Sequence, residues 1–205
     1  IKNRFGPTDD IAIFQMKEEG LIEVKNPSQA FLEQREEPVA GTVIVAALEG
    51  IRSFLIEVQA LVSGTCFPTP SRRCTGLDQN RLALLVAVLE KRVGYKLQNC
   101  DIFVSVAGGV KIREPAIDLG IVLAIASSFS TRIISLDTLV IGEVGLGGEV
   151  RGVGRIENRV KEAILMGCKR CILPYRNFKE VGQKYAKQIE LIPVKLIDEA
   201  VRAAL

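Results

Sequence analysis

A change of pattern near Val39 constrains this chain more than any other feature. Residues 42–48 and 54–62 are β-rich runs, and Glu49-Gly50-Ile51-Arg52 between them reads as a hairpin connection. Residues 63–76 read as a loop, punctuated by Gly64, Pro68, Pro70, Ser71 and Gly76. Asp78 caps a helix running to about Arg92, with Leu82, Leu85, Val86 and Leu89 on one face and Gly94 as its stop. Residues 101–107 read as a strand, and Gly108-Gly109 turns into Lys111-Ile112-Arg113-Glu114. Pro115 suits the first position of a helix carrying Ile117, Ile121, Val122 and Ile125. Residues 139–142 and 143–150 are expected as strands, 155–166 as a helix, 171–173 as a strand, 177–187 as a helix, 190–194 as a strand and 197–205 as a closing helix. This order predicts an α+β domain over residues 39–205, a mixed sheet covered by helices.

The first 38 residues read differently. Residues 8–25 are an extended hairpin in which Ile11, Ile13 and Phe14 lead into Met16, Glu18-Glu19-Gly20 turns, and Leu21, Ile22 and Val24 return. It has too little core to stand alone. Ahead of it stands Lys2-Asn3-Arg4-Phe5-Gly6, where strand alternation puts Lys2 and Arg4 on one face. Such a pair can grip a phosphate, the arginine as a planar fork and the lysine as a point charge. The chain opens on Ile1 rather than a methionine, as expected for a piece of a longer protein. Asn26-Pro27-Ser28 starts a short helix with Ser28 as its expected N-cap and Phe31 and Leu32 as its apolar face, making 26–38 a linker.

Composition removes several chemistries. There is no histidine, so Ser-His-Asp and Cys-His arrangements and imidazole zinc sites are excluded. Cys168-Lys169-Arg170-Cys171 is half a zinc site without a second pair; it enters a strand and reads as structural, so no metal is expected. Nothing matches a phosphate loop, and Gly152-x-Gly154 has Glu157 where a third glycine would complete a dinucleotide fingerprint. Ser127 and Ser128 lie late in an apolar helix, where hydroxyls usually bond back to the preceding turn. No run approaches the roughly 20 apolar residues of a membrane span.

The net charge of +3 is mild, so cations matter only where they gather. Arg72-Arg73 in the long loop, Lys111 and Arg113 before a helix, and Arg151, Arg155 and Arg159 around another helix start are the candidates. Aromatics are only 5% of residues and tryptophan is absent, so nucleic-acid contacts are expected to run to the backbone and to weaken with salt.

Residues 142–150, continuing through Val153-Gly154 to Lys161, and residues 108–120 resemble the proteolytic domain of the Lon family. The resemblance implies a Lon-protease-like fold, akin to the second domain of ribosomal protein S5. In that family the serine of Gly-Pro-Ser-Ala-Gly attacks the peptide and a lysine after Gly-Gly-Leu is its base. Here the two stretches read Ala116-Ile117-Asp118-Leu119-Gly120 and Gly154-Arg155-Ile156-Glu157. Asp118 therefore stands for the nucleophile and Glu157 for the base, two carboxylates expected to repel or share a proton. The resemblance implies a protease fold without protease chemistry.

The whole chain is similar to the C-terminal part of the RadA (Sms) family of DNA-repair ATPases of bacteria and plant organelles. The matching motifs are Lys2-Asn3-Arg4-Phe5-Gly6, Asn26-Pro27-Ser28, Thr75-Gly76-Leu77-Asp78, Leu89-Glu90-Lys91-Arg92, Gly108-Gly109-Val110-Lys111 and Glu114-Pro115-Ala116-Ile117-Asp118. This resemblance implies a preceding four-cysteine zinc finger and a RecA-like ATPase using ATP and magnesium, of which residues 1–25 are the last strands. The fragment itself is expected to hold no cofactor. Lys2 and Arg4, within the signature that includes Asn3, Phe5 and Gly6, would reach the ATP of a neighbouring subunit. The implied assembly is a homo-hexameric ring related to DnaB-type helicases. It would drive branch migration with the RecA recombinase on single- and double-stranded DNA, in the cytoplasm or an organelle and without a membrane. Arg72, Arg73, Lys111 and Arg113 would supply a DNA lining. The rival expectations are an active peptidase and a pure oligomerisation scaffold.

Overall fold

An unbroken apolar strand needs cover on both faces, and the run around Val43 has it. The computed structural model describes residues 14–17, 20–23, 27–32, 37–50 and 52–205. Strands β1 (Phe14–Lys17) and β2 (Gly20–Glu23) pair as an antiparallel hairpin, and helix α1 (Pro27–Leu32) follows. The rest comprises β3 (Thr42–Glu49), β4 (Arg52–Gly64), β5 (Arg72–Thr75), α2 (Gln79–Val93), β6 (Cys100–Val106), α3 (Asp118–Ser130), β7 (Thr138–Val140), β8 (Glu143–Val144), β9 (Val150–Arg151), α4 (Ile156–Leu165), β10 (Arg170–Pro174), α5 (Tyr175–Tyr185), β11 (Glu190–Val194) and α6 (Ile197–Ala204).

Seven strands form one mixed sheet in the order β11-β10-β7-β3-β4-β6-β5. β11, β10, β7 and β3 run parallel, β4 is antiparallel to β3 and β6, and β5 is parallel to β6. Val43, Val45 and Ala47 of β3 join a core with Leu85 and Leu89 of α2, Ile121 and Ile125 of α3, and Val201 of α6. Ile44 and Ala46 point the other way, into a core with Ile156 and Val160 of α4 and Val181 and Tyr185 of α5. A strand buried on both faces reads as a continuous hydrophobic run rather than an alternation. The sheet is thus sandwiched between helix layers, a mixed α+β architecture.

Helix α3 is buried on every side from Asp118 to Ser127, which its all-round hydrophobicity requires. It passes so close to β3 that a Cβ built on Gly120 would sit 2.1 Å from Val45 Cγ1. A mid-helix Gly→Ala change ordinarily stabilises, but overpacking opposes it here. Gly120→Ala is expected to destabilise by about 1–3 kcal/mol, measured as a lower urea midpoint. An unchanged midpoint would mean that α3 can shift off β3.

Three expectations change. Residues 63–76 are not all loop: β4 extends to Gly64, and Arg72–Thr75 is an edge strand, paired Arg72 with Ile102 through Thr75 with Ser105. The partner strand comes later in the chain, so nothing local announces it; Ser71 O accepts Ile102 N–H at 2.8 Å and sets the register. A short charged strand is how a sheet edge is commonly blunted. Residues 143–150 are not one strand but the ends of a small hairpin, β8 and β9, whose turn closes through Gly145 N–H to Glu149 O at 2.9 Å. Gly148, at φ +86°, takes the left-handed conformation that the turn needs. Finally, Ser28 lies inside α1 and does not cap it. Its buried hydroxyl accepts Leu55 N–H at 2.9 Å and donates to the Glu162 carboxylate, fastening α1 to β4 and α4.

Candidate functional site

The turn of 3₁₀ helix at Pro115–Ile117 leads directly into α3 and delivers Asp118 to its first turn. Backbone bonds hold this junction against the sheet, Leu119 N–H to Gly142 O at 3.0 Å and Gly142 N–H to Ala116 O at 2.8 Å. Asp118 is 1% exposed. Arg81 of α2 grips it as a fork: Nε donates to Oδ1 at 2.9 Å and Nη2 to Oδ2. Val144 N–H also donates to Oδ2 at 3.2 Å, and Arg81 Nη2 donates to Val144 O at 2.9 Å. Burial pushes the Asp118 carboxyl above its ordinary range, while Arg81 and the Val144 amide limit the rise. Both oxygens of this carboxylate are engaged, so it serves as the counter-ion of Arg81.

Glu157, in the first turn of α4, has a separate set of partners. Lys184 lies 2.6 Å away and Lys161 2.9 Å, and the Tyr185 hydroxyl donates at 3.1 Å. These bonds, led by Lys184, lower its carboxyl to about 2. The expected proton sharing between Asp118 and Glu157 is therefore corrected: each carboxylate has its own cation. Neither is poised as a base.

The other nucleophile candidates are engaged in structure. Ser127 Oγ accepts Gly41 N–H at 2.8 Å and donates to Arg132 O, and Ser128 Oγ accepts Val62 N–H at 2.9 Å. Both thus brace neighbouring segments, where a bond back to the preceding turn was expected. Cys168 and Cys171 are buried and outside any disulfide, and burial pushes the Cys171 thiol up, opposite to an activated cysteine. Among the described residues no group of three or more His, Cys, Asp or Glu side chains comes together to hold a metal. Among the same residues no helix is long and apolar enough to cross a membrane.

The cations sort unevenly. Lys111 and Arg113 are exposed on either side of buried Ile112. They line a cavity of about 570 Å³ together with Leu77, Leu82 and Ile117. Neither has an ion pair among the described residues. Arg72 and Arg73 do not line this cavity. Strand alternation turns Arg72 towards α2, where it meets Glu90 at 3.8 Å. Arg73 projects to the opposite face, into a cavity of about 620 Å³ with Leu61 and Phe103. Of the cluster at α4, Arg151 is paired with Glu149 and Glu143, and Arg155 is exposed. Arg159 is not solvated at all. It is 1% exposed and bonds both oxygens of Glu114 at 2.8 Å, with further bonds to Gly154 O at 3.2 Å and to Ala46 O. Lys2, Asn3, Arg4, Phe5 and Gly6 lie outside the described residues.

Reading from sequence missed Arg81 and the Glu114–Arg159 pair. Their partners are 37 and 45 residues distant, and no local spacing announces such contacts.

A mixed sheet carrying the α3 junction, with Asp118 buried in the first turn of α3, is the frame of a Lon-type proteolytic domain. Residues 86–205 match the family of the Lon protease (S16) C-terminal proteolytic domain, and the chain belongs to that family. Along its full length it is also similar to DNA repair protein RadA. It is 53% identical to that of Halalkalibacterium halodurans and 55% to that of Bacillus subtilis, over 205 residues in each case. These alignments take in 100% of this chain and 44% of each relative. Over 202 residues, 98% of this chain, it is 47% identical to 48% of the Streptococcus pneumoniae protein of the same name. The chain spans less than half the length of these relatives.

Proposed function

We propose that this chain is the C-terminal part of a DNA-repair protein whose Lon-like domain binds DNA phosphates and hydrolyses no peptide. The observation that carries this reading is the 53–55% identity, over all 205 residues, to proteins named DNA repair protein RadA. Two features support it. The protease nucleophile position holds an aspartate already bound by Arg81 and Val144. Beside it, Lys111 and Arg113 are exposed without a counter-ion among the described residues. The wider activity, ATP-driven branch migration by a hexameric ring, belongs to the same proposal and is read out by DNA-stimulated ATP hydrolysis of the full-length protein.

The test is fluorescence anisotropy with DNA over a series of salt concentrations. Changing Lys111 and Arg113 to alanine is expected to weaken binding on all sequences alike and to lower the salt slope by about 2. Unchanged affinity and slope would remove this pair from the interface.

A further inference from the structure

Lys111 and Arg113 stand at the mouth of a cavity, and its interior calls for more than a phosphate. Its walls include Leu77, Leu82, Ile117 and Ile121, all aliphatic. At about 570 Å³ it falls in the size range of ligand sites, about 300–1,000 Å³, and has their usual form of apolar walls with a few polar groups at one side. The cavity also holds three acids, and each is engaged. Asp118 is held by Arg81, Glu114 by Arg159, and Asp78 accepts Arg81 N–H at 2.8 Å as the N-cap of α2. Among the described residues, the cavity's charges left without an ion pair are the two cations and Asp78. The cations flank buried Ile112, two residues apart, and both line this cavity. That suits a polymer with a negative charge on every unit. Of such polymers, a nucleic acid also carries a flat ring with apolar faces beside each charge, whereas an Asp- and Glu-rich peptide carries none.

We propose that this cavity receives one unstacked base of single-stranded DNA, with the flanking phosphates on Lys111 and Arg113. This rests on the reading of those two residues as phosphate contacts, and adds that the bound strand is read as a single strand through a base. Stacking on an aromatic platform plays no part; the base is held between aliphatic side chains, as in base-flipping pockets that combine apolar walls with a polar rim.

The test compares binding of the full chain to an oligodeoxythymidylate and to a strand of equal length built of abasic residues. The base-bearing strand is expected to bind about tenfold more tightly, with the same salt slope for both. Leu77→Trp, which fills the cavity and leaves both cations in place, is expected to abolish that preference while keeping the slope. A second readout guards against a misfolded variant: 2-aminopurine in the strand should brighten on binding to the unaltered protein, as an unstacked base does. Equal affinity for the two strands and no brightening would overturn the base pocket and leave phosphate binding standing. Failure to bind either strand would overturn the DNA reading beneath it. Displacement of the strand by a poly-glutamate peptide but not by thymidine monophosphate would reassign the cavity to acidic peptides and overturn the proposal.

Discussion

Glu114→Ala is expected to cost about 3–5 kcal/mol of stability, several times what an exposed ion pair contributes. Glu114 supplies both acceptors for the Arg159 fork, and its Oε1 also accepts Leu48 N–H at 3.1 Å. Arg159 is 1% exposed and arginine does not shed its proton in a folded protein, so it has no neutral state to retreat to. Removing the carboxylate strands a charge between β3 and α4 with only the Ala46 and Gly154 carbonyls for company. Urea unfolding measures the loss. Replacing both partners together, Glu114→Leu with Arg159→Met, is expected to recover most of it, because a buried pair exchanged for apolar groups of similar volume is often neutral. A deficit below about 1 kcal/mol for the single change would mean that water reaches Arg159 and screens it.

Arg81→Ala is expected to cost about 2 kcal/mol at neutral pH, less than the loss of Glu114 because Arg81 is itself 31% exposed and Asp118 can take a proton. The loss depends on pH. Burial already raises the Asp118 carboxyl in the folded chain. A group raised on folding favours the fold fully when pH is below its unfolded value, and that contribution is lost as pH climbs through the folded value. Without Arg81 the rise is unchecked. The gap between variant and parent should therefore be smallest in acid, below the ordinary carboxylate range, and widen towards neutrality. Unfolding curves from about pH 3 to pH 8 measure it, and a gap that stays constant across that range would show that Arg81 acts through packing alone.

The parts of the fold that could be read in advance are those whose cause is local. Helix α2 has its Asp78 cap, its Leu82, Leu85, Val86 and Leu89 stripe and its Gly94 stop where the pattern placed them. Lys111 and Arg113 follow a glycine pair and precede the Pro115 turn, and both side chains are exposed there. The misreadings share a different cause. β5 has no alternation of its own and exists because β6, nearly 30 residues later, offers it an edge. Arg72 and Arg73 looked like a unit because they are adjacent, yet adjacency on a strand is what sends them to opposite faces. Arg159 reads as one of a basic cluster with Arg151 and Arg155 because nothing near it in sequence points to Glu114. The Lon-type motifs located Asp118 and Glu157, but not the separate cations that hold each of them.

The pairing of Asp118 with Arg81 also limits which side chains these positions accept one at a time. A serine at position 118 would leave the Arg81 guanidinium facing a hydroxyl without its counter-charge. A lysine at position 157 would set a third ammonium among Lys161 and Lys184, which share the Glu157 carboxylate. Each single change is opposed by ordinary electrostatics until the cation facing it changes too, so carboxylate and cation here form units that can be exchanged only together.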